Sequence, residues 1–346
     1  MRLLAAICAS LSLAAAGLLG GGLWVGSEMA LRPGWYQHRS PQQGLLPAES
    51  FANWAGKTHD PERDFSWPFE TVEFPTDGDA TLRGWWIPGS PDARVGVVTV
   101  HGAGADRRDF LRHLPVFHEA GYPVLMFDCR EHGISDGDGR GVSFGVREHA
   151  DVIAAARYAR RRGQLERVAV VGTSQGGASA ILAAARDATI DAIVSENPFT
   201  DLGSLIRDGA ATFDARAANA TTLVGWIASL TAWRVGADET HAPIEAIEQI
   251  APRPVLLMHG TADRVIPVAH THALYQAAPF AELWIAEGAR HAALFDAAPD
   301  QWRRRVLDFL ERSVGPALSP RTGKAGDRAP RESGERTEFA LLYRLR

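Results

Sequence analysis

Cysteine is almost missing from this chain: its 346 residues contain two, Cys8 and Cys129. That excludes a disulfide-stapled scaffold and any cysteine-rich zinc module. No charge of one sign dominates either. The 36 lysines and arginines stand against 41 aspartates and glutamates, a net −5, so no broad positive field draws in nucleic acid. The acidic excess is too small for a solvating, disordered chain. Glycine and proline, 34 and 20 residues, fall short of a low-complexity polymer. There is no G-x-x-x-x-G-K loop, no G-x-G-x-x-G opening a first βα unit, no H-E-x-x-H and no internal repeat. No cofactor is therefore expected, metal or organic. What is present is apolar: 46% of the residues, enough for a sizeable buried core.

One long hydrophobic run exists, residues 3–25, without a single charge. As a helix it would span about 34 Å, sufficient for a hydrocarbon core of about 30 Å. A secretory signal has an apolar region of about 7–15 residues before a small-x-small cleavage site. Ala14-Ala15-Ala16 could serve as that site, yet the run continues beyond it. A membrane anchor over residues 1–26 is the expectation, with a cleaved signal as the alternative. Cys8 lies too close to the N-terminus, behind bulky Ile7, for lipid attachment. Arg2 on one flank nearly balances Arg32 and Arg39 on the other; a short N-terminal flank staying in the cytoplasm would put the large domain outside. Residues 27–68 read as a juxtamembrane linker. Residues 315–346, rich in Pro, Gly, Ser and Arg, bury too little to offset ordering entropy and read as a disordered tail.

Between them, residues 69–314 alternate short β-branched runs with longer helical stretches. Strands are expected at 69–75, 81–88, 95–100, 123–128, 167–172, 190–195, 255–260 and 281–286. An Asp77-Gly78 hairpin turn joins the first two. The later runs are continuously apolar, as strands covered on both faces are. Residues 144–162 and 175–186 have helical length and composition. Such alternation predicts a doubly wound, mostly parallel α/β sheet of eight strands with an antiparallel start. Residues 202–250 are too long and too apolar for a plain loop. They are expected to form a helical cap over the strand C-termini, where open α/β sheets bind ligands. Trp226, Leu230 and Trp233 would then line an acyl pocket; the plainer alternative is that they pack the insertion onto the sheet.

The strand at 167–172 runs straight into Gly172-Thr173-Ser174-Gln175-Gly176, a G-x-S-x-G elbow followed by a small-residue helix. A serine on that turn is exposed at a helix N-terminus, and Cβ atoms at its glycines would strike nearby backbone. Such a nucleophile needs a base, and the base an orienting acid, in the chain order Ser, acid, His. Asp263 in HGTADRVIP and His291 in EGARH each follow a later strand on the same sheet edge. Glu196 is a rival acid, and His259, His270 and His272 are rival bases. Ser179 and Ser195 lack an elbow and read as structural. In His101-Gly102-Ala103-Gly104 the backbone can face the serine, so the amides of Ala103 and Gln175 are expected to form an oxyanion hole, with His101 propping the loop.

The order HGAGADR, FDCREHGISDG, GTSQGG, HGTADRVIP and GARH, spanning residues 70–314, resembles the α/β-hydrolase superfamily. It is most similar to the monoacylglycerol lipase and serine-aminopeptidase-like branch, membrane-anchored relatives included. The resemblance implies the α/β-hydrolase fold, Ser174 as nucleophile, Asp263 and His291 as its partners, and Ala103 and Gln175 as oxyanion amides. One departure is visible. That branch often carries D-x-R-G-H-G-x-S after the fourth strand, and Glu131 stands here where its glycine would be. The expected activity is that of a serine hydrolase acting on an ester, thioester or amide of an amphiphilic substrate through an acyl-enzyme. Three alternatives remain: a peptidase of the same fold, less favoured without an added propeller-like domain; a haloperoxidase or dehalogenase, the latter disfavoured because it prefers an aspartate where Ser174 stands; and a membrane-tethered binding module without activity.

Overall fold

The computed structural model describes residues 2–47, 59–213 and 220–317, with the side chains of 2–16 outside that set. Eight strands form one sheet: β1 Glu70–Pro75, β2 Thr81–Ile87, β3 Val95–Val100, β4 Val124–Asp128, β5 Arg167–Thr173, β6 Ala192–Glu196, β7 Val255–Gly260 and β8 Glu282–Ala286. The helices are α1 Arg2–Leu31, α2 Pro61–Phe65, α3 Leu114–Glu119, α4 Glu148–Gly163, α5 Gln175–Arg186, α6 Leu202–Phe213, α7 Thr221–Val235, α8 Pro243–Ala246, α9 Ala269–Ala277, α10 Leu294–Ala297 and α11 Pro299–Ser313. Spatially the strands run β1-β2-β4-β3-β5-β6-β7-β8. β1 pairs β2 and β2 pairs β4 antiparallel; every other pair is parallel. This is the α/β-hydrolase fold.

The continuously apolar strands hide an alternation of faces. Val98, Val100, Leu125 and Phe127 enter one core with α4 and α5. Val97, Val124 and Met126 enter another with Phe117, Trp302 and Phe309 of α3 and α11. Successive side chains leave a strand on opposite sides, and both sides here are covered, so neither side needs polar residues. The helix expected from residue 144 starts at Glu148. Its carboxylate accepts the N–H groups of Ser143 and Gly145, each at 2.8 Å, so the preceding turn ends on that side chain instead of entering the helix.

At the N-terminus α1 continues past residue 26 to Leu31, which is buried along with Ser27. Its last turns pack on α7: a Cβ on Gly26 would lie 2.6 Å from Ile227. Arg234 of α7 donates to Glu28 at 2.6 Å and to Ser27 at 3.0 Å, and its guanidinium lies 4.1 Å from the Trp24 ring centroid. Residues 32–47, expected as linker, lie along the loops of the sheet's C-terminal edge. They do so because those loops supply partners: Arg39 N–H donates to Gly133 O at 3.0 Å, and just before the segment Leu31 O accepts Val142 N–H at 2.9 Å. The first sixteen positions of the expected anchor fall outside the described side chains. Among the described residues no helix is long and apolar enough to cross a membrane. Residues 48–58 of the expected linker and 318–346 of the expected tail also lie outside the described residues.

The segment after β3 is tied to β4 by a buried ion pair. Arg107 donates through Nε and Nη2 to Asp128 at 3.0 and 2.6 Å, and its own N–H joins at 2.8 Å. Ile134 N–H reaches the other carboxylate oxygen at 2.9 Å, so one aspartate gathers two loops. Removing one member strands the other charge in the interior. Arg107→Met should lower the unfolding free energy by about 3–5 kcal/mol, read from urea denaturation; a loss below about 1 kcal/mol would show that the pair is not a structural tie.

Candidate active site

β5 delivers Ser174 at its C-terminal end and α5 begins at the next residue. Ser174 sits at φ 55, ψ −120, a conformation that L-residues avoid. The turn can be this tight because of its glycines: a Cβ on Gly172 would meet Gly176 O at 2.3 Å, and one on Gly176 would meet Val100 O at 2.1 Å. Ser174 N–H donates to Glu196 O at 2.7 Å, which ties the elbow to β6.

The structure brings Ser174, His291 and Asp263 together. His291 Nε2 lies 3.1 Å from Ser174 Oγ and His291 Nδ1 lies 2.7 Å from Asp263 Oδ2. In the tautomer these partners favour, Nδ1–H donates to the carboxylate and Nε2 accepts the serine hydroxyl. The other carboxylate oxygen, Asp263 Oδ1, accepts Val265 and Ile266 N–H at 2.8 and 2.9 Å. Burial works to raise the Asp263 carboxyl. Hydrogen bonds from His259 and His291, the His291 charge and the Ile266 amide outweigh it and hold the group well below the usual carboxylate range. It is therefore the ionised partner of His291 at neutral pH.

The HGAG loop stands directly against the nucleophile, since a Cβ on Gly102 would lie 3.5 Å from Ser174 Cβ. Among the described residues neither the Ala103 nor the Gln175 amide finds an acceptor, and Gln175 is the first residue of α5. Both N–H groups are thus free for a developing negative charge. His101 supports the loop from below: Nδ1 bonds Gly102 O at 2.8 Å and Nε2 accepts Cys129 N–H at 3.0 Å.

Among the described residues, none of the rivals bonds the Ser174 hydroxyl. Glu196 accepts Trp302 Nε1–H at 2.9 Å and Leu294 N–H at 3.4 Å, and burial pushes its carboxyl up. His259 is wholly buried, with Nδ1 2.6 Å from Thr271 Oγ1 and Nε2 2.9 Å from Ile266 O and 3.2 Å from Asp263 Oδ2, so it backs the acid without facing the serine. His270 pairs with Asp208 of α6 at 2.7 Å, while His272 is exposed on α9. Ser179 donates to Gln175 O at 2.8 Å, within its helix, and Ser195 is buried in β6.

The residues expected to line an acyl pocket are not gathered at the triad. Trp226 lines a cleft of about 440 Å³ between α6 and α7, with Gly203, Arg207 and Ala232 among its walls and no triad residue. Leu230 is half-buried and off that wall, and Trp233 is 74% exposed. α6 does reach the acid's loop: Thr212 Oγ1 donates to Arg264 O at 3.1 Å.

Asn197 escaped the sequence reading. It follows Glu196 at the end of β6, in the left-handed region at φ 51. Its Nδ2 donates to Asp263 Oδ2 at 2.8 Å, and its Oδ1 accepts Ala292 N–H at 3.3 Å. One side chain thus spans the acid and the histidine loop. The only signal was its place: a polar residue directly after a strand, on the edge where the elbow lies.

A serine hydrogen-bonded to histidine and aspartate at the C-terminal edge of this sheet is the arrangement of α/β-hydrolase enzymes of the serine type. The model of the prolyl oligopeptidase family (Peptidase_S9) matches residues 114–317, well over half the chain, and the chain belongs to that family. It is similar to the uncharacterized protein YfhR of Escherichia coli (strain K12), 28% identical over 258 residues, 72% of this chain and 83% of that one. Among solved structures, an esterase of Pyrococcus furiosus superposes with a TM-score of 0.62 at 26% identity, covering 74% of this chain and 95% of its own. A Pyrococcus horikoshii acylaminoacyl peptidase shares the fold, with TM-score 0.54, 17% identity, 75% of this chain and 43% of its own.

Asn197→Gly keeps the backbone conformation and deletes the amide. It should lower kcat/KM about tenfold, as loss of one hydrogen bond to a charged group does, and shift the acidic limb of the pH profile; an unmoved profile would reduce Asn197 to a turn residue. Asp263→Asn should cost about 10⁴ in kcat, with Glu196→Gln mild; the reverse order would move the acid to β6.

Proposed function

We propose that the protein hydrolyses carboxylic esters through an acyl-Ser174 intermediate. His291 Nε2 takes the Ser174 proton as Oγ attacks the carbonyl carbon. The oxygen that gains charge is held by the Ala103 and Gln175 amides, and Asp263 stabilises the imidazolium. His291 then gives its proton to the departing alkoxide. A water, deprotonated by the same nitrogen, attacks the acyl carbon, and collapse returns Ser174 and releases the acid. The observation that carries this reading is the unbroken line Ser174–His291–Asp263, at 3.1 and 2.7 Å, beside two free amides.

Esters are favoured over peptides by the likeness to the Pyrococcus furiosus esterase, which is covered over 95% of its length. Membership of the prolyl oligopeptidase family supports a second reading, a peptidase using the same residues. The likeness to the monoacylglycerol lipase branch stands on motif order. Anchoring by residues 1–26 stands on the charge-free run, and an outward catalytic domain on the short N-terminal flank.

A fluorophosphonate probe should label the protein, and Ser174→Ala should lose both labelling and turnover of p-nitrophenyl butyrate while staying folded. Labelling retained on another serine would refute the assignment, and aminoacyl-naphthylamide turnover exceeding ester turnover would favour the peptidase. Trp226→Ala should alter preference for long over acetyl esters more than Trp233→Ala does, because each methylene buried contributes about 0.8 kcal/mol. Equal profiles with lowered melting points would make both tryptophans packing residues. Deleting residues 1–26 should release active protein from the membrane fraction; a variant that stays there would place a further membrane contact elsewhere.

A further inference from the structure

Glu131 is the departure that catalysis does not explain. It sits at φ 60, where glycine is at ease and a glutamate is strained, and its side chain is fully buried. A carboxylate kept there needs partners. Oε2 accepts the Tyr36 hydroxyl at 2.6 Å and Oε1 accepts Arg140 N–H at 3.2 Å. Burial first, then the bond to Glu131 and its charge, raise the Tyr36 hydroxyl far above its ordinary value, so it remains a donor.

Tyr36 belongs to a strap laid along the loop that follows β4. His38 Nε2 bonds Ser135 O at 2.7 Å, His38 forms a parallel bridge with Gly133, and Arg39 N–H donates to Gly133 O at 3.0 Å. Farther on, Arg108 holds Leu46 O at 2.7 Å. The strap brings the preceding residue, Trp35, onto the oxyanion loop. A Cβ on Gly104 would come within 2.4 Å of the Trp35 ring, so ring and glycine backbone are in direct contact. From beneath, the same loop is held by Asp109, whose Oδ2 accepts Gly102 N–H at 3.1 Å.

We propose that Trp35 is a positioning residue of the active site: the Tyr36–Glu131 bond presses its ring on Gly104, clamping the HGAG loop against Asp109 so that the Ala103 amide stays aimed at the oxyanion. This rests on the ester-hydrolase reading, in which Ala103 is an oxyanion donor. The amide matters in the transition state, when the oxygen carries charge, and little in the bound substrate. Freeing the loop therefore lowers kcat and leaves KM near its starting value.

The test uses the full chain and the variants Trp35→Ala, Tyr36→Phe and Glu131→Gly. The last suits the left-handed backbone, so it separates loss of the strap from loss of the fold. Turnover of p-nitrophenyl butyrate is expressed per site titrated with the fluorophosphonate, and affinity is measured for a trifluoromethyl ketone, whose hemiketal oxygen occupies the oxyanion hole. Trp35→Ala and Glu131→Gly should lower kcat per site about tenfold and weaken the ketone by the same factor, with KM within about twofold; Tyr36→Phe should move both less, in the same direction. Wild-type kcat per site and ketone affinity in folded variants would overturn the proposal, whether or not their melting points fall. A wild-type chain that neither labels nor hydrolyses the ester would instead remove the hydrolase reading beneath it.

Discussion

The site depends on a serine held where serines do not rest. A non-glycine residue at φ 55, ψ −120 costs about 1–3 kcal/mol and survives only where its surroundings leave no alternative. Those surroundings are specific. Gly172 and Gly176 let three backbone segments approach within distances that any Cβ would forbid. The hydrogen bond from Ser174 N–H to Glu196 O then fixes the turn to the neighbouring strand. Because β3, β5 and β6 lie side by side and parallel, their C-termini place the HGAG loop, the elbow and Asn197 on one edge. The fold's contribution to chemistry is this convergence.

Around the serine the polar groups are satisfied in a way that assigns roles. Asp263 spends one oxygen on two backbone amides and offers the other to His291 and Asn197, with His259 Nε2 at 3.2 Å behind it. A carboxylate so supplied with donors remains charged, and a charged acceptor fixes the tautomer of the ring it faces. Glu196 lies one residue from Asn197 on the same strand end yet does different work. Its partners, Trp302 and Leu294, belong to the segment after the histidine, so it holds that segment down instead of orienting the base. Two carboxylates on adjoining strands are thus separated in function by what they touch.

Much of this was legible in the sequence because the informative residues carry their geometry with them. The run into Gly172–Gly176 announces a strand, a turn and a helix at once, and Asp263 and His291 follow strands whose order the parallel topology dictates. What the sequence hid depends on contacts between distant segments. Asn197 looks like any polar residue at a strand end until β7 brings Asp263 beside it. The tryptophans of α7 looked like pocket lining because apolar residues in a helix suggest burial, but α7 is apolar nearly all round. Such a helix cannot hide every face against two neighbours, and Trp233 is the face left over. Residues 32–47 looked like linker because they bury little by themselves. Their order is supplied by acceptors and donors on loops about 100 positions away, as the bonds of Tyr36 and His38 show.

The same long-range bonding gives the N-terminal segment two roles in series. α1 reaches the catalytic domain at α7, through Gly26 against Ile227 and Arg234 between Ser27 and Glu28. A few residues later the strap reaches the HGAG loop through Trp35. Only Arg32, Pro33 and Gly34 separate the end of α1 from Trp35, too short a stretch to let the two contacts move independently. A displacement of α1 relative to the sheet would strain its contacts with α7, the Val142–Leu31 bond and the ties of the strap at Tyr36, His38 and Arg39. Breaking the Tyr36–Glu131 bond is costly among them, since Glu131 is buried and would lose a hydrogen-bond donor there. Glu131, where the resembled branch often carries glycine, thus supplies the buried acceptor at the Tyr36 end of that segment, beside the His38, Arg39 and Leu46 contacts that hold the rest.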